Sequence, residues 1–242
     1  MSTVGDKIIA QKGNWTFSGE VSINFDSHVA KSVPMYNEGH QIICNLTDFF
    51  LSNNSLVYDL GCSTGSLIEK IAIHNTHKNG IKYIGVDQEV NMVKQAKERK
   101  FNNKSLKDFD IEFLTEDINL MKLEKTNLII CYYLIQFIKP HLRQELIDNI
   151  YKSLHWGGCL ILFEKVRGSD ARFQDLLSAL YNDYKFSRGY SVDEINSKSL
   201  SLRGVLEPFS RSGNIDMLKR AGFVDIESIF KYICFEGFIA IK

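Results

Sequence analysis

The stretch 55–66, SLVYDLGCSTGS, decides how the chain is read. Its first half is a short apolar run that ends in an acid, Asp59. Its second half carries Gly61 and Gly65, residues that let a backbone turn tightly and approach a ligand closely. LIEKIAIHN (67–75) then has helical character. Working outward, IKYIGVD (81–87) reads as a second strand. EVNMVKQAKERK (89–100) is a helix with a basic last turn, as the helix dipole favours. IEFLTED (111–117), NLIICYYL (127–134) and CLILFEK (159–165) are three more strands. Pro140 opens the helix 140–154, where a missing N–H costs nothing, and Gly157–Gly158 read as its stop. Strands that alternate with helices predict a mostly parallel sheet covered on both faces.

Both ends depart from this rhythm. The first 50 residues, with the helical run EGHQIICNLTDFFL (38–51), read as an N-terminal cap over one edge of the sheet. Residues 166–212 read as a helical insertion, or lid, with a turn at Gly189. NIDMLKRAGF (214–223) is a short helix with a glycine stop. VDIESIFKYICFEGFIAIK (224–242) is a hairpin turning near Glu236–Gly237, which makes the last strand antiparallel. The expected architecture is one α/β domain over 1–242: a Rossmann-like, seven-stranded, mostly parallel sheet with an antiparallel last strand and a helical insertion after the fifth.

Ligands of open α/β sheets sit at the carboxyl ends of strands, where the strand order reverses. The first-strand loop is G-x-x-x-G with Asp59 two residues ahead, not the G-x-G-x-x-G of a dinucleotide site. An acid there repels a pyrophosphate but suits the ammonium of an amino acid. S-adenosylmethionine, a nucleoside carrying an amino acid, fits that requirement, with S-adenosylhomocysteine as product. Asp59, Gly61, Cys62, Ser63 and Gly65 are the candidate loop contacts. Asp87 ends the second strand and suits either a ribose diol or the N-cap of the following helix. Met92 suits an adenine face or the core. Asp117 and Ile118, after the third strand, suit an adenine amino group and ring, or a solvated loop.

The segments YDLGCSTGS, IGVDQEVNMV, EDI, YYLIQFIKP, LHWGGCLILFEK and LKRAGF together resemble the class I S-adenosylmethionine-dependent methyltransferases. WTF (15–17), SVPMY (32–36), LIQFIKP (134–140), NDYKFSRGYS (182–191) and VLEP (205–208), in that order, are similar to the carboxy-S-adenosyl-L-methionine synthases. Those enzymes use prephenate and supply a donor for tRNA wobble-uridine modification. The resemblance implies a homodimer and adds Tyr36 and Gln88 to the cofactor contacts. It also marks two departures. Tyr132 stands where that family has Asn, and Ser199 where it has the Arg that holds the extra carboxylate of the carboxylated cofactor. A serine lacks the bidentate fork a carboxylate wants. Arg203, a helical turn further on, is the candidate replacement. The favoured expectation is therefore methyl transfer from ordinary S-adenosylmethionine to a small-molecule acceptor. Carboxylated-cofactor synthesis, and a binding partner without catalysis, are the alternatives.

Methyl transfer from a sulfonium needs positioning more than a catalytic side chain. Tyr132 and Tyr133, after the fourth strand, suit cofactor or acceptor contacts or the core. His28 in the cap is a candidate base, and His155 a partner for a helix C-terminus. Tyr184, Arg188, Tyr190 and Arg203 lie in the insertion, where acceptor specificity is expected. Acidic and basic residues number 29 each, which argues against a nucleic-acid partner. Five cysteines without metal-type spacing predict free thiols in a cytoplasmic protein with no metal. No apolar run approaches membrane-spanning length.

Overall fold

The computed structural model describes residues 2–4, 9–10, 12–17 and 20–242. A small hairpin, β1 (Ser2–Thr3) and β2 (Ile9–Ala10), precedes helices α1 (Glu20–Ile23), α2 (Phe25–Ser32) and α3 (Tyr36–Phe50). The alternating core follows: β3 (Leu56–Leu60), α4 (Ser66–His74), β4 (Lys82–Asp87), α5 (Val90–Asn102), β5 (Asp110–Thr115), β6 (Thr126–Tyr132), α6 (Pro140–Ser153) and β7 (Leu154–Lys165). The insertion is α7 (Ala171–Ser187) and α8 (Val192–Ser201). The chain closes with α9 (Arg211–Ala221), β8 (Asp225–Tyr232) and β9 (Phe235–Ile241).

The seven-stranded sheet has the order β5-β4-β3-β6-β7-β9-β8. β9 runs antiparallel to both neighbours, and the other pairings are parallel. Strands β3 to β5 build outward in one direction, and β6 returns to the other side of β3. That reversal is the switch point, and it puts the carboxyl ends of β3 and β6 side by side.

Each face of the sheet carries its own core. Ile43, Ile68, Ile71, Phe113 and Phe163 pack on one face, under α3 and α4. Leu60, Ile129, Ile147, Leu162 and Leu218 pack on the other, under α6 and α9. In β7 the two sets alternate residue by residue, which is why CLILF is apolar throughout. Among the described residues no helix is long and apolar enough to cross a membrane.

Three local expectations need correction. Gly157 and Gly158 do not stop α6, which ends at Ser153. They belong to a bulge in β7, where the residues between Leu154 and Cys159 lack regular partners in β6 and Gly157 takes φ +75°. His155 lies in that bulge and caps no helix. The final turn falls at Ile233–Cys234, not at Glu236–Gly237. Gly237 is inside β9, paired with Phe163 and Phe230, and glycine is needed there because a Cβ would lie 2.6 Å from the Phe163 ring. Finally, α3 contributes to the core on one face, through Ile43 and Cys44, instead of covering an edge of the sheet.

Candidate active site at the switch point

A cavity of about 750 Å³ opens at the carboxyl ends of β3, β4 and β6 and is roofed by α2 and the insertion. Its floor is the glycine loop. Gly61 and Cys62 donate backbone hydrogen bonds to Val86 at 2.8 and 3.0 Å, which locks the turn to β4. Gly61 has φ +73°, and a Cβ there would meet Leu134 at 2.8 Å. Gly61, Cys62 and Ser63 line the cavity, but Gly65 does not. Gly65 sits behind the loop, where a Cβ would strike Phe113 at 2.7 Å. Its role is close helix–sheet packing. Arg99 ties the loop to the cap: it donates to the Thr64 carbonyl at 2.9 Å and ion-pairs with Asp26 of α2.

Two carboxylates stand over this floor. Asp59 is 2% exposed, and its Oδ1 has no hydrogen-bond partner. Burial, with Asp87 adding to it, pushes its pKa up to about 8. Asp87 accepts from the backbone of Ser63 and of Glu89, each at 2.9 Å. It is not the N-cap of α5, which is Glu89; it accepts from that residue just before the helix and lines the cavity. Gln88, Met92, Asp117 and Ile118 line the same side. Asp117 Oδ1 also accepts from the Asn119 backbone and side chain.

An aromatic wall faces the carboxylates. The Tyr132 hydroxyl donates to the Tyr36 carbonyl at 2.6 Å, and Gly39 is required because a Cβ there would lie 2.2 Å from that hydroxyl. Tyr132 thus braces α3 as well as lining the cavity. Tyr133 takes φ +60°, and its hydroxyl is buried without a partner. His40, one turn after Tyr36, also lines the cavity. Burial, and then Lys70, lower its pKa to about 3, so the ring is neutral. Lys70 Nζ lies 3.0 Å from Nδ1, which leaves the proton on Nε2, a buried donor without a partner. Sequence reasoning missed His40. Its spacing of four from Tyr36 on one helix was the available signal.

The cap and the insertion meet above. His28 Nε2 lies 3.2 Å from Lys198 Nζ, and its ring stacks on Trp15. Tyr190 receives Lys31 over its ring. His28, Tyr190, Ser199 and Arg203 all line the cavity, whereas Tyr184 and Arg188 do not. α8 ends at Ser201, so Arg203 lies beyond the helix and is not a turn further along the face that bears Ser199. Behind the wall, Arg143 is buried and donates to the Ile138 carbonyl at 2.8 Å. Glu164 accepts from Ile135 at 2.9 Å, and burial lifts its pKa to about 8 against the pull of Arg143. This pair shapes the 135–138 turn. Among the described residues no cluster of His, Cys, Asp and Glu is placed to hold a metal.

Residues 58–160 match the family described as Methyltransferase domain. A carboxy-S-adenosyl-L-methionine synthase of Staphylococcus epidermidis is 37% identical over 232 residues, covering 94% of this chain and 97% of that relative. One from Campylobacter jejuni is 38% identical over 231 residues, covering 96% and 95%. Human N-acetylserotonin methyltransferase, solved in complex with SAM, matches with a TM-score of 0.62 at 18% identity over 93% of this chain. This chain spans 56% of that longer protein, and the likeness is one of fold. Fold and site together define a methyltransferase domain of the Rossmann-like class. Within that class the chain belongs to the carboxy-S-adenosyl-L-methionine synthase family.

Proposed function

We propose that the switch-point cavity binds S-adenosylmethionine and that the chain transfers its methyl group to a small molecule held beneath the insertion, leaving S-adenosylhomocysteine. The observation that carries this reading is the buried, unpartnered Asp59 carboxylate beside the Gly61 turn. A buried acid without a partner is costly, and an ammonium group relieves that cost. Asp87 would take the ribose hydroxyls, while Met92 and Ile118 would cover the adenine beside Asp117. Bound there, the cofactor supplies a sulfonium-activated methyl group. The chain's own work is orientation and exclusion of water: the Tyr36, Tyr132 and Tyr133 wall dries the cavity, and the Tyr133 and His40 donors face it unspent. An acceptor that is already ionised needs no general base, whereas a neutral hydroxyl or amine must lose a proton as it is methylated.

A second reading, synthesis of carboxy-S-adenosylmethionine, is favoured by the near full-length similarity to proteins of that name. Tyr132 and Ser199 at the two departed positions weigh against it, because neither offers a carboxylate a cation. Further parts of the proposal rest on other features. A homodimer would cover the apolar side of α7, and five buried free thiols suit the reducing cytoplasm. The test is to purify the protein gently, denature it and weigh the released nucleoside. S-adenosylmethionine or S-adenosylhomocysteine is expected. The carboxylated nucleoside would favour the second reading. No nucleoside, together with no heat on titration with S-adenosylmethionine, would overturn both.

A further inference from the structure

Two groups buried in the cavity wall are left with opposite needs. Asp59 Oδ1 is an acceptor without a donor, and His40 Nε2 is a donor without an acceptor. Both residues line the cavity, and they are only 2% and 1% exposed. Tyr36 links them. The Asp59 charge acts on its hydroxyl, and its ring centre lies 4.7 Å from that of His40. A buried polar group without a partner costs its full desolvation, so a ligand that satisfies both groups gains twice.

The donor character of His40 is built from two elements. α3 supplies the ring, and α4, the helix that follows the glycine loop, supplies Lys70. Lys70 Nζ lies 3.0 Å from Nδ1 and donates to Asn37 Oδ1 at 3.1 Å. An ammonium can only donate, so Nδ1 accepts and the ring keeps its proton on Nε2. Burial, and then Lys70, hold the ring neutral. A cation behind the ring polarises it and strengthens the N–H on its far side. The acceptor that best suits such a donor is an anionic oxygen, which also brings a counter-charge to Lys70.

The neighbouring tyrosine does not compete for this role. The Tyr132 ring centre lies 4.8 Å from that of His40, but its hydroxyl proton is spent on the Tyr36 carbonyl at 2.6 Å. An α-amino acid carries an ammonium and a carboxylate on one carbon. These are the two groups that Asp59 and His40 lack.

We infer that His40 Nε2–H donates to the α-carboxylate at the amino-acid end of the cofactor, opposite the ammonium on Asp59, and that Lys70 is the positioning residue that fixes the tautomer. This rests on reading the cavity as an S-adenosylmethionine site. It concerns a carboxylate that every S-adenosylmethionine carries, and so a subsite separate from Ser199.

The test is calorimetric titration with S-adenosylmethionine and with its decarboxylated form, which keeps the adenosine, the sulfonium and the ammonium and lacks the carboxylate. The wild type is expected to favour the carboxylate-bearing ligand by about tenfold or more, the weight of one hydrogen bond to a charged group. His40→Phe should weaken S-adenosylmethionine by about tenfold and leave the decarboxylated ligand within about twofold, so that the preference vanishes. His40→Gln, which keeps an N–H donor, should retain part of the preference. Lys70 is exposed, so Lys70→Met leaves the fold intact. It should reduce the preference about threefold and move the ring-nitrogen NMR signals of His40 toward a mixture of tautomers, and Lys70→Arg should restore both. Equal affinity of the wild type for the two ligands, or an unaltered preference in both His40→Phe and Lys70→Met, would overturn the subsite and leave the cofactor reading in place. Binding of neither ligand would overturn both.

Discussion

Asp59 is held in the folded protein with a pKa near 8, against about 3.9 for an unfolded carboxyl. The native state therefore keeps a proton that the unfolded state has released across that window. Stability contributed by this group is present at low pH and is lost as pH rises from about 4 to about 8. Glu164, also lifted to about 8, adds a slope of the same sign. Binding an ammonium reverses the preference, because an ionised Asp59 is what the ligand needs. Affinity for S-adenosylmethionine is expected to peak near pH 8. Below that, Asp59 must give up a proton; above it, an α-amino group of ordinary pKa loses its charge. Calorimetry from pH 6 to pH 9 reads the curve, and a flat acid limb in the wild type would refute the assignment. Asp59→Asn should flatten that limb, weaken binding by about tenfold or more, and raise the melting temperature of the ligand-free protein at pH 8.

At the scale of single elements, two glycines with similar backbones separate two causes of cost. Gly65 opens α4 at φ +73°, and a Cβ would lie 2.7 Å from Phe113 and 3.0 Å from Ala96. Gly189 turns α7 into α8 at φ +85°, with nothing within 4 Å. Gly189→Ala should cost about 1–2 kcal/mol, the left-handed conformation alone. Gly65→Ala should cost a further ~1–3 kcal/mol for overpacking, and lower the melting temperature by about twice as much. Equal shifts in thermal denaturation would show that Phe113 yields freely.

The same comparison shows what was legible in the sequence. The glycine loop, Asp87, Asp117 and Ile118 could be read because strand tips recur at regular intervals, and the sheet order places those tips together. Gly157–Gly158 and Glu236–Gly237 misled, because a glycine pair and an acid–glycine pair look like chain reversals when neighbours are unseen. One is a bulge opposite β6, and the other lies flat under Phe163. His40 and Lys70 gave no sequence signal of comparable strength, because their meaning lies in what they face across the fold.

For the molecule as a whole, the exposed side of α7 stands out. Phe173, Leu176 and Leu180 are each about half exposed and recur at helical spacing along one face. No residue of α7 is buried. A soluble monomer rarely leaves such a stripe uncovered. Sedimentation should give a dimer for the wild type and a monomer for the Leu176→Glu, Leu180→Glu double variant. A monomeric wild type at assay concentration would remove the homodimer from the proposal.

The place of β9 in the sheet bears on how the chain comes to be folded during synthesis. β9 leaves the ribosome after both β7 and β8, yet it sits between them and pairs with both. Until it arrives, β7 has an open edge beside Lys165, and β8 has no neighbour to join. Residues 235–241 therefore act as a keystone: translation must run to Ile241 before the wall of the cavity that carries Phe235 exists. Loss of residues 235–241 would not trim an edge but remove an interior strand.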